Sequence, residues 1–321
     1  MKIFVSICSY RDPLLVHTLN SLIQSKSQIT DATYAIFEQI EKENSLEVLH
    51  PELVARADVI YKRIDPQYSQ GVGWARNVNA LNIEDEDFYY QIDSHMLFDK
   101  NWDRRLISDY KEAAHISHTN RIIISDNCKN FEMIDGTPSL QHNRSVSCEA
   151  KFYQFEKNLW LYAHGNHFEA SQRVKPSIHV FAGNFFTHAD WLSNVGIDSK
   201  IFFHGEEQII MLSSFAAGYK SFHGKQISCY HYLDSNNHTS KQDVEPVVSN
   251  EILESRKKAS IEHFKKYIQN TDDSILEAFK EYSGVDYINR KLEERAITRS
   301  IQPSIEVDWE IADATLKPEG L

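Results

Sequence analysis

The sequence predicts an α/β fold built on a doubly wound, largely parallel sheet, and three features carry that expectation. Short β-rich runs alternate with stretches of helical period over the first third of the chain, the pattern of βαβ units. The first apolar run, over residues 3–8, passes within a few positions into Asp12-Pro13, an N-cap candidate followed by proline at the first helical position. At 321 residues, with 8 prolines, 41% apolar and 25% charged positions, the chain suits one large α/β domain plus an appended piece.

Residues 3–8 read as a buried strand, and Leu14, Leu15, Thr18, Leu19, Leu22 and Ile23 then recur at helical spacing. Further strands are expected at 34–37, 59–64, 88–92 and 122–125, with helices near 74–81 and 102–114. From 130 to 200 the pattern is irregular and rich in aromatics and histidine, with strand-like pieces at 152–155, 159–163 and 178–186. This half is expected to shape a site. A helix over 205–217 stops at Gly218-Tyr219, and 227–232 reads as a strand. Beyond Pro246 the composition shifts to charged helix with an apolar stripe of Ile252, Leu253, Phe264, Tyr267 and Ile268, a packing face. The last twenty or so positions show no period, as in a loose tail.

Composition excludes several classes of function. With 46 acidic against 34 basic residues and a net charge of −12, the chain lacks the clustered cations of a phosphate-backbone binder, so nucleic acid is not an expected partner. Cys8, Cys128, Cys148 and Cys229 form no CxxC pair, which signals neither a zinc ribbon nor a disulfide framework and fits a reducing compartment. The N-terminal apolar run is too short for a signal-peptide core or a membrane span, and a cytoplasmic protein without a transmembrane segment is expected.

The most informative segment is Phe88-Tyr89-Tyr90-Gln91-Ile92-Asp93-Ser94-His95-Met96, an apolar strand that leaves the sheet through an Asp-Ser-His triplet. Ligands of open α/β sheets bind beyond the carboxyl ends of the strands, where Asp93 and His95 fall. Their i, i+2 spacing sends both side chains to one side of an extended segment, allowing a carboxylate oxygen and an imidazole nitrogen to meet one divalent cation. Two ligands make a weak site, and the triplet reads equally as an Asp-capped turn with an exposed histidine. His231, closing a short apolar strand, is a candidate third ligand; His204, His223 and His238 are rivals that spacing does not eliminate.

Phe203-His204-Gly205-Glu206-Glu207-Gln208 opens a helix, and carboxylates in a first turn suit the helix dipole in any protein. The functional alternative has Gly205 admitting a ligand to the backbone while Glu206 or Glu207 binds sugar hydroxyls or helps a proton transfer. Ser6-Ile7-Cys8-Ser9-Tyr10-Arg11-Asp12 turns from a strand end into a helix N-terminus, the usual place for a nucleotide. Neither GxGxxG nor a P-loop is present, so hydroxyls and Arg11 stand in for a glycine cradle. Arg76, after Gln70-Gly71-Val72-Gly73, is able to set a guanidinium near a phosphate, or is simply a surface arginine.

In order, six segments resemble one glycosyltransferase family, the hydroxyproline-directed polypeptide GlcNAc-transferases, and more distantly the polypeptide GalNAc-transferases. They are VSICSYRDP at the N-terminus, GVGWAR at 71–76, QIDSHMLFDKNWD at 91–103, VFAGNFF at 180–186, FHGEE at 203–207 and GYKSF to YHY over 218–232. The resemblance spans roughly two thirds of the chain. It implies a GT-A fold, Rossmann-like and nucleotide-sugar-binding, over residues 1–245, using a UDP-sugar donor and Mn²⁺ or Mg²⁺. It places Asp93 and His95 in the metal-binding Asp-x-His motif, completed by His231. Arg76 matches a diphosphate- or uracil-side contact, and Ser6, Ser9, Tyr10 and Arg11 the first nucleotide-binding turn. Ser94, Gly183 and Asn184 join the donor-binding set, and Glu206 and Glu207 face the transferred sugar and acceptor. The family retains anomeric configuration.

The implied reaction moves a hexosamine, foremost GlcNAc, to a hydroxyl of a protein or glycan acceptor. Alternatives are another UDP-sugar used on a bacterial surface polysaccharide, or an inactive carbohydrate-binding protein on the same fold. A helical extension over 246–300 and a tail over 301–321 have no counterpart in the resemblance.

Overall fold

The computed structural model describes residues 1–141, 145–155, 161–232 and 246–298. In chain order the strands are β1 (Lys2–Tyr10), β2 (Asp31–Gln39), β3 (Val59–Ile64), β4 (Phe88–Ile92), β5 (Met96–Phe98), β6 (Ile122–Ser125) and β7 (Lys129–Ile134). They continue with β8 (Thr137–Leu140), β9 (Val146–Phe155), β10 (Leu161–Glu169), β11 (Lys175–Pro176), β12 (Asn184–His188), β13 (Lys220–His223) and β14 (Cys229–Tyr232). The helices that matter here are α1 (Leu15–Ser25), α2 (Val72–Ala80), α3 (Trp102–Ser117), α4 (Glu206–Ala216), α5 (Asn250–Asn270) and α6 (Asp273–Ser283).

The main sheet has eight strands in the order β11-β13-β6-β12-β4-β1-β2-β3. Strands β3, β2, β1 and β4 run parallel, but β12 lies antiparallel between β4 and β6, and β11 is antiparallel to β13. Since β13 is parallel to β6, which runs with β4, six of the eight strands share one direction: the sheet is largely parallel, as expected, with β12 and β11 running against it. The expected strand at 178–186 shrinks to Asn184–His188, because side chains claim the backbone before it. Ser177 Oγ donates to the His179 carbonyl, and the Phe181 N–H donates to Ser125 Oγ at 2.8 Å.

Alternate residues of the central strands enter two cores, as a period of two requires. Ile3, Val5, Ile7, Tyr90 and Phe186 pack with Leu15, Leu19 and Trp102 of α1 and α3 on one face. Phe4, Tyr89 and Phe185 pack on the other with Ile209 and Leu212 of α4 and with Phe264, Ile268, Leu276, Phe279 and Tyr282 of α5 and α6. The charged helices beyond residue 246 thus share the sheet's second core. Ile252 does not join it and is 46% exposed, since it lies about 100° around the helix from buried Leu253.

A second sheet, β5-β14-β7-β8, stands beside the C-terminal ends of the first. Residues 146–155 and 161–169 form an antiparallel pair, longer than expected, and position 159 lies outside the described residues. Helix α1 starts at Leu15, later than the Asp12-Pro13 signal, with Leu14 as its N-cap. Asp12 instead caps the preceding turn, its Oδ1 accepting the Leu14 N–H at 3.0 Å. All four cysteines are free, and no helix among the described residues is long and apolar enough to cross a membrane.

Candidate active site

Asp93 follows directly on β4, at the carboxyl end of the parallel strands. His95 follows two residues on, before β5. His231 arrives from far along the chain because β14 pairs with β5, setting His231 opposite Met96, and the Tyr232 N–H donates to the His95 carbonyl at 3.0 Å. The result is a cluster of three ligand-type side chains. His95 Nε2 faces His231 Nε2 at 2.9 Å, and His231 Nε2 lies 3.3 Å from Asp93 Oδ2.

That donor set fits a divalent cation. The three side chains are part-exposed, and although they also contact one another, two imidazole nitrogens and a carboxylate oxygen gathered this closely each offer a lone pair to a shared ion. His95 Nδ1 lies 2.6 Å from Asp12 Oδ2, which puts the ring proton on Nδ1 and the lone pair on Nε2, the atom facing His231. Gly183 is required at the same spot: a Cβ there would sit 2.2 Å from Asp93 Oδ2, so only glycine lets the β12 approach pass the carboxylate.

Arg76, on α2, is buried between two acids. Its NH2 group donates to Asp93 Oδ1 at 2.7 Å and its NH1 group to Glu206 Oε2. Burial works against the guanidinium charge, but the Glu206 and Asp93 carboxylates outweigh it and raise the Arg76 pKa. Burial would also raise Asp93, yet its bond to His231 and the charge of Arg76 pull it well below the usual carboxylate range. For Glu206, burial prevails over Arg76 and the carboxyl is shifted upward. Burial pushes the nearby Cys8 thiol up to about 12, so it stays neutral and is no nucleophile.

Glu207 is committed elsewhere: Oε1 accepts the Ala182 N–H at 2.9 Å and Oε2 meets His179 Nε2 at 3.1 Å. It ties α4 to the loop before β12. Asn184 is buried, donating to the Asp126 carbonyl and accepting from the Tyr90 hydroxyl. Arg76, Asp93, Gly183, Asn184, Glu206, Glu207 and His231 all line one cleft of about 980 Å³, which the β9–β10 hairpin walls with His164, Asn166 and His167.

The nucleotide-side residues are not on that lining. Ser6 Oγ accepts from Asn79 Nδ2 at 3.0 Å, a packing bond between β1 and α2. Ser9 Oγ is buried with no partner among the described residues. Tyr10 ends β1, and Arg11 reaches Glu41 at 3.1 Å. Ser94 is buried and donates to Asp12 Oδ2 at 2.7 Å. Of the rival histidines, His204 lines the cleft outside the cluster, and position 238 lies outside the described residues. His223 sits in a second acid–thiol–imidazole group with Asp126 and Cys148. There Nδ1 donates to the Ser125 carbonyl and Nε2 accepts the Ala150 N–H, which accounts for the ring without an ion.

Sequence reasoning read Asp12 as a cap and as the end of the nucleotide turn but not as a partner of His95, and it missed the hairpin histidines, whose irregular surroundings gave them no period. It also missed Gln208, whose buried amide lines the cleft with neither atom partnered among the described residues.

Residues 38–290 match the family model described as glycosyltransferase (GlcNAc). No curated protein matches the sequence. Among solved structures, GalNAc-T7 with UDP, GalNAc and Mn²⁺ superposes with a TM-score of 0.56 at 14% identity. That match covers 98% of this chain and 58% of the other, so this chain spans little more than half of its neighbour's length. TarS residues 1–349 of S. aureus, in complex with UDP-GlcNAc, gives 0.44 at 12% identity over 92% of this chain and 83% of that one. The fold is of the GT-A type.

Proposed function

Since the chain belongs to the glycosyltransferase (GlcNAc) family, we propose that it transfers N-acetylglucosamine from UDP-GlcNAc to a hydroxyl of a protein or glycan, using a divalent cation held by Asp93, His95 and His231. The convergence of those three side chains beside the Arg76–Glu206 pair is the observation that carries the reading. The GT-A neighbour binding UDP, GalNAc and Mn²⁺ supports it.

A cation held there supplies Lewis-acid neutralisation of the charge developing on a departing diphosphate. The protein's own residues do the rest. Arg76 keeps Asp93 ionised and oriented, so that the acid presents Oδ2 toward the histidines. Glu206, buried at the head of α4 with Oε1 unpartnered among the described residues, is the group placed to accept a sugar hydroxyl. Glu207 holds the α4 start against the 177–183 loop and so positions Glu206. Nitrogen and oxygen donors together suit Mn²⁺ better than Mg²⁺. We assign retention of anomeric configuration and the hydroxyproline-directed branch on the six-segment resemblance, and a cytoplasmic setting on the four free thiols.

The test is UDP release from a panel of UDP-sugars with Mn²⁺, with product anomers read by NMR. UDP-GlcNAc should be turned over fastest, EDTA should abolish turnover and Mn²⁺ restore it. Asp93→Ala should lower it by more than about a hundredfold. Turnover indifferent to both EDTA and Asp93→Ala would sink the metal role, and preference for another UDP-sugar would sink the donor assignment.

A further inference from the structure

We infer that Asp12 is a positioning residue that fixes the ring tautomer of His95, an inference that rests on reading Asp93, His95 and His231 as a cation site. Asp12 is buried in the turn between β1 and α1, 5% exposed, and its two oxygens have different tasks. Oδ1 accepts the Leu14 N–H at 3.0 Å and alone suffices to cap the turn. Oδ2 accepts from the Ser94 hydroxyl at 2.7 Å and faces His95 Nδ1 at 2.6 Å. A carboxylate only accepts, so Nδ1 carries the ring proton and Nε2 carries the lone pair. Nε2 is the atom aimed at His231 Nε2.

The backbone around His95 is already held. The Thr18 hydroxyl donates to the Ser94 carbonyl and accepts the Met96 N–H, each at 2.8 Å, and the Tyr232 N–H donates to the His95 carbonyl. The ring is a separate matter: Asp12 Oδ2 meets it at Nδ1 and sets its tautomer, while Nε2 faces His231. Histidines that ligate metals commonly hand their other N–H to a carboxylate, and loss of that partner weakens metal binding about 10–100-fold.

The isosteric substitution Asp12→Asn separates this role from turn capping. If the amide oxygen keeps the Leu14 N–H, the amide nitrogen faces His95 Nδ1 and donates to it, moving the ring proton to Nε2, where it blocks the lone pair. Mn²⁺ affinity, measured on the full chain by the loss of free-ion EPR signal, should fall about 10–100-fold. The melting temperature should change little. Independently, ¹⁵N NMR of the wild-type imidazoles without metal should show His95 as the Nδ1–H tautomer. A wild-type Nε2–H tautomer, or Mn²⁺ affinity unmoved by Asp12→Asn, overturns the role of Asp12. Wild-type protein that binds no Mn²⁺ overturns the cation site itself and this inference with it.

Discussion

At the scale of single residues, charge buried behind the cleft sets a pH dependence. Asp109 on α3 lies under Gly224, where a Cβ would be 2.7 Å from its Oδ2 and 3.0 Å from Asp126 Oδ2. Burial raises the Asp109 carboxyl to about 7, aided by Asp126 and opposed by Lys225. Its folded value therefore exceeds the unfolded one, so the stability it contributes is complete below about pH 4 and is lost as pH rises to about 7. Relative to Asp109→Asn, the wild type should lose up to about 1.4 kcal/mol per pH unit across that window. Urea titrations of both proteins at pH 5 and pH 7.5 check this; parallel pH profiles would refute it. At this scale the sequence was partly legible. Asp93 and His95 announced themselves because they sit two apart at a strand end. The partners of Arg76 did not, because Asp93 and Glu206 lie 17 and 130 residues away. Nor did the second task of Asp12, since a capping acid looks the same in sequence whether its other oxygen is used or not.

At the scale of elements, α5 braces the segment that delivers Glu206. Ser260 Oγ accepts the Phe202 N–H at 2.9 Å, His263 meets Asp198 at 2.7 Å, and the Phe264 ring packs on Gly205, whose φ of 94° puts α4 on course. The same segment binds α2, with the Val72 N–H donating to the Phe202 carbonyl at 2.8 Å, so one loop couples Arg76 to Glu206. Ser260→Ala leaves the Phe202 N–H buried without an acceptor, at a cost of about 1–3 kcal/mol. Because the loop carries Glu206 and not the cation ligands, kcat should fall several-fold while Mn²⁺ affinity holds. Unchanged kcat in the folded variant would limit α5 to packing. The stripe on α5 could be read from its period, but not what it supports, because helical spacing reports which face is buried and says nothing of the surface it meets. The antiparallel β12 escaped for a related reason: strand direction leaves no mark on a short apolar run.

At the scale of the whole molecule, the six-segment resemblance ends near residue 232, but the family match runs to residue 290 and the core runs with it. Leu253, Phe264 and Ile268 of α5 and Leu276, Phe279 and Tyr282 of α6 are each less than 8% exposed, and all but Leu253 pack with Phe4, Tyr89 and Phe185 of the central strands. A sheet with helices on both faces needs both layers, since its strands are apolar on either side. Burial of one large apolar side chain stabilises by about 1.5–3 kcal/mol, so the six together contribute on the order of 10 kcal/mol. That is comparable to the whole stability of an ordinary domain, about 5–15 kcal/mol. A chain cut after residue 245 should therefore fail to reach a cooperatively folded state, even though it retains every residue of the proposed cation site. Circular dichroism melts and the fluorescence of a hydrophobic dye report the outcome. A truncated chain with a sharp thermal transition and no dye binding would mean that residues 1–245 form a domain of their own, with the helices an accessory to it. The opposite result makes the helices part of the fold that holds the candidate site, the layer that lets the sheet present Asp93 at the cleft with His95 beside it.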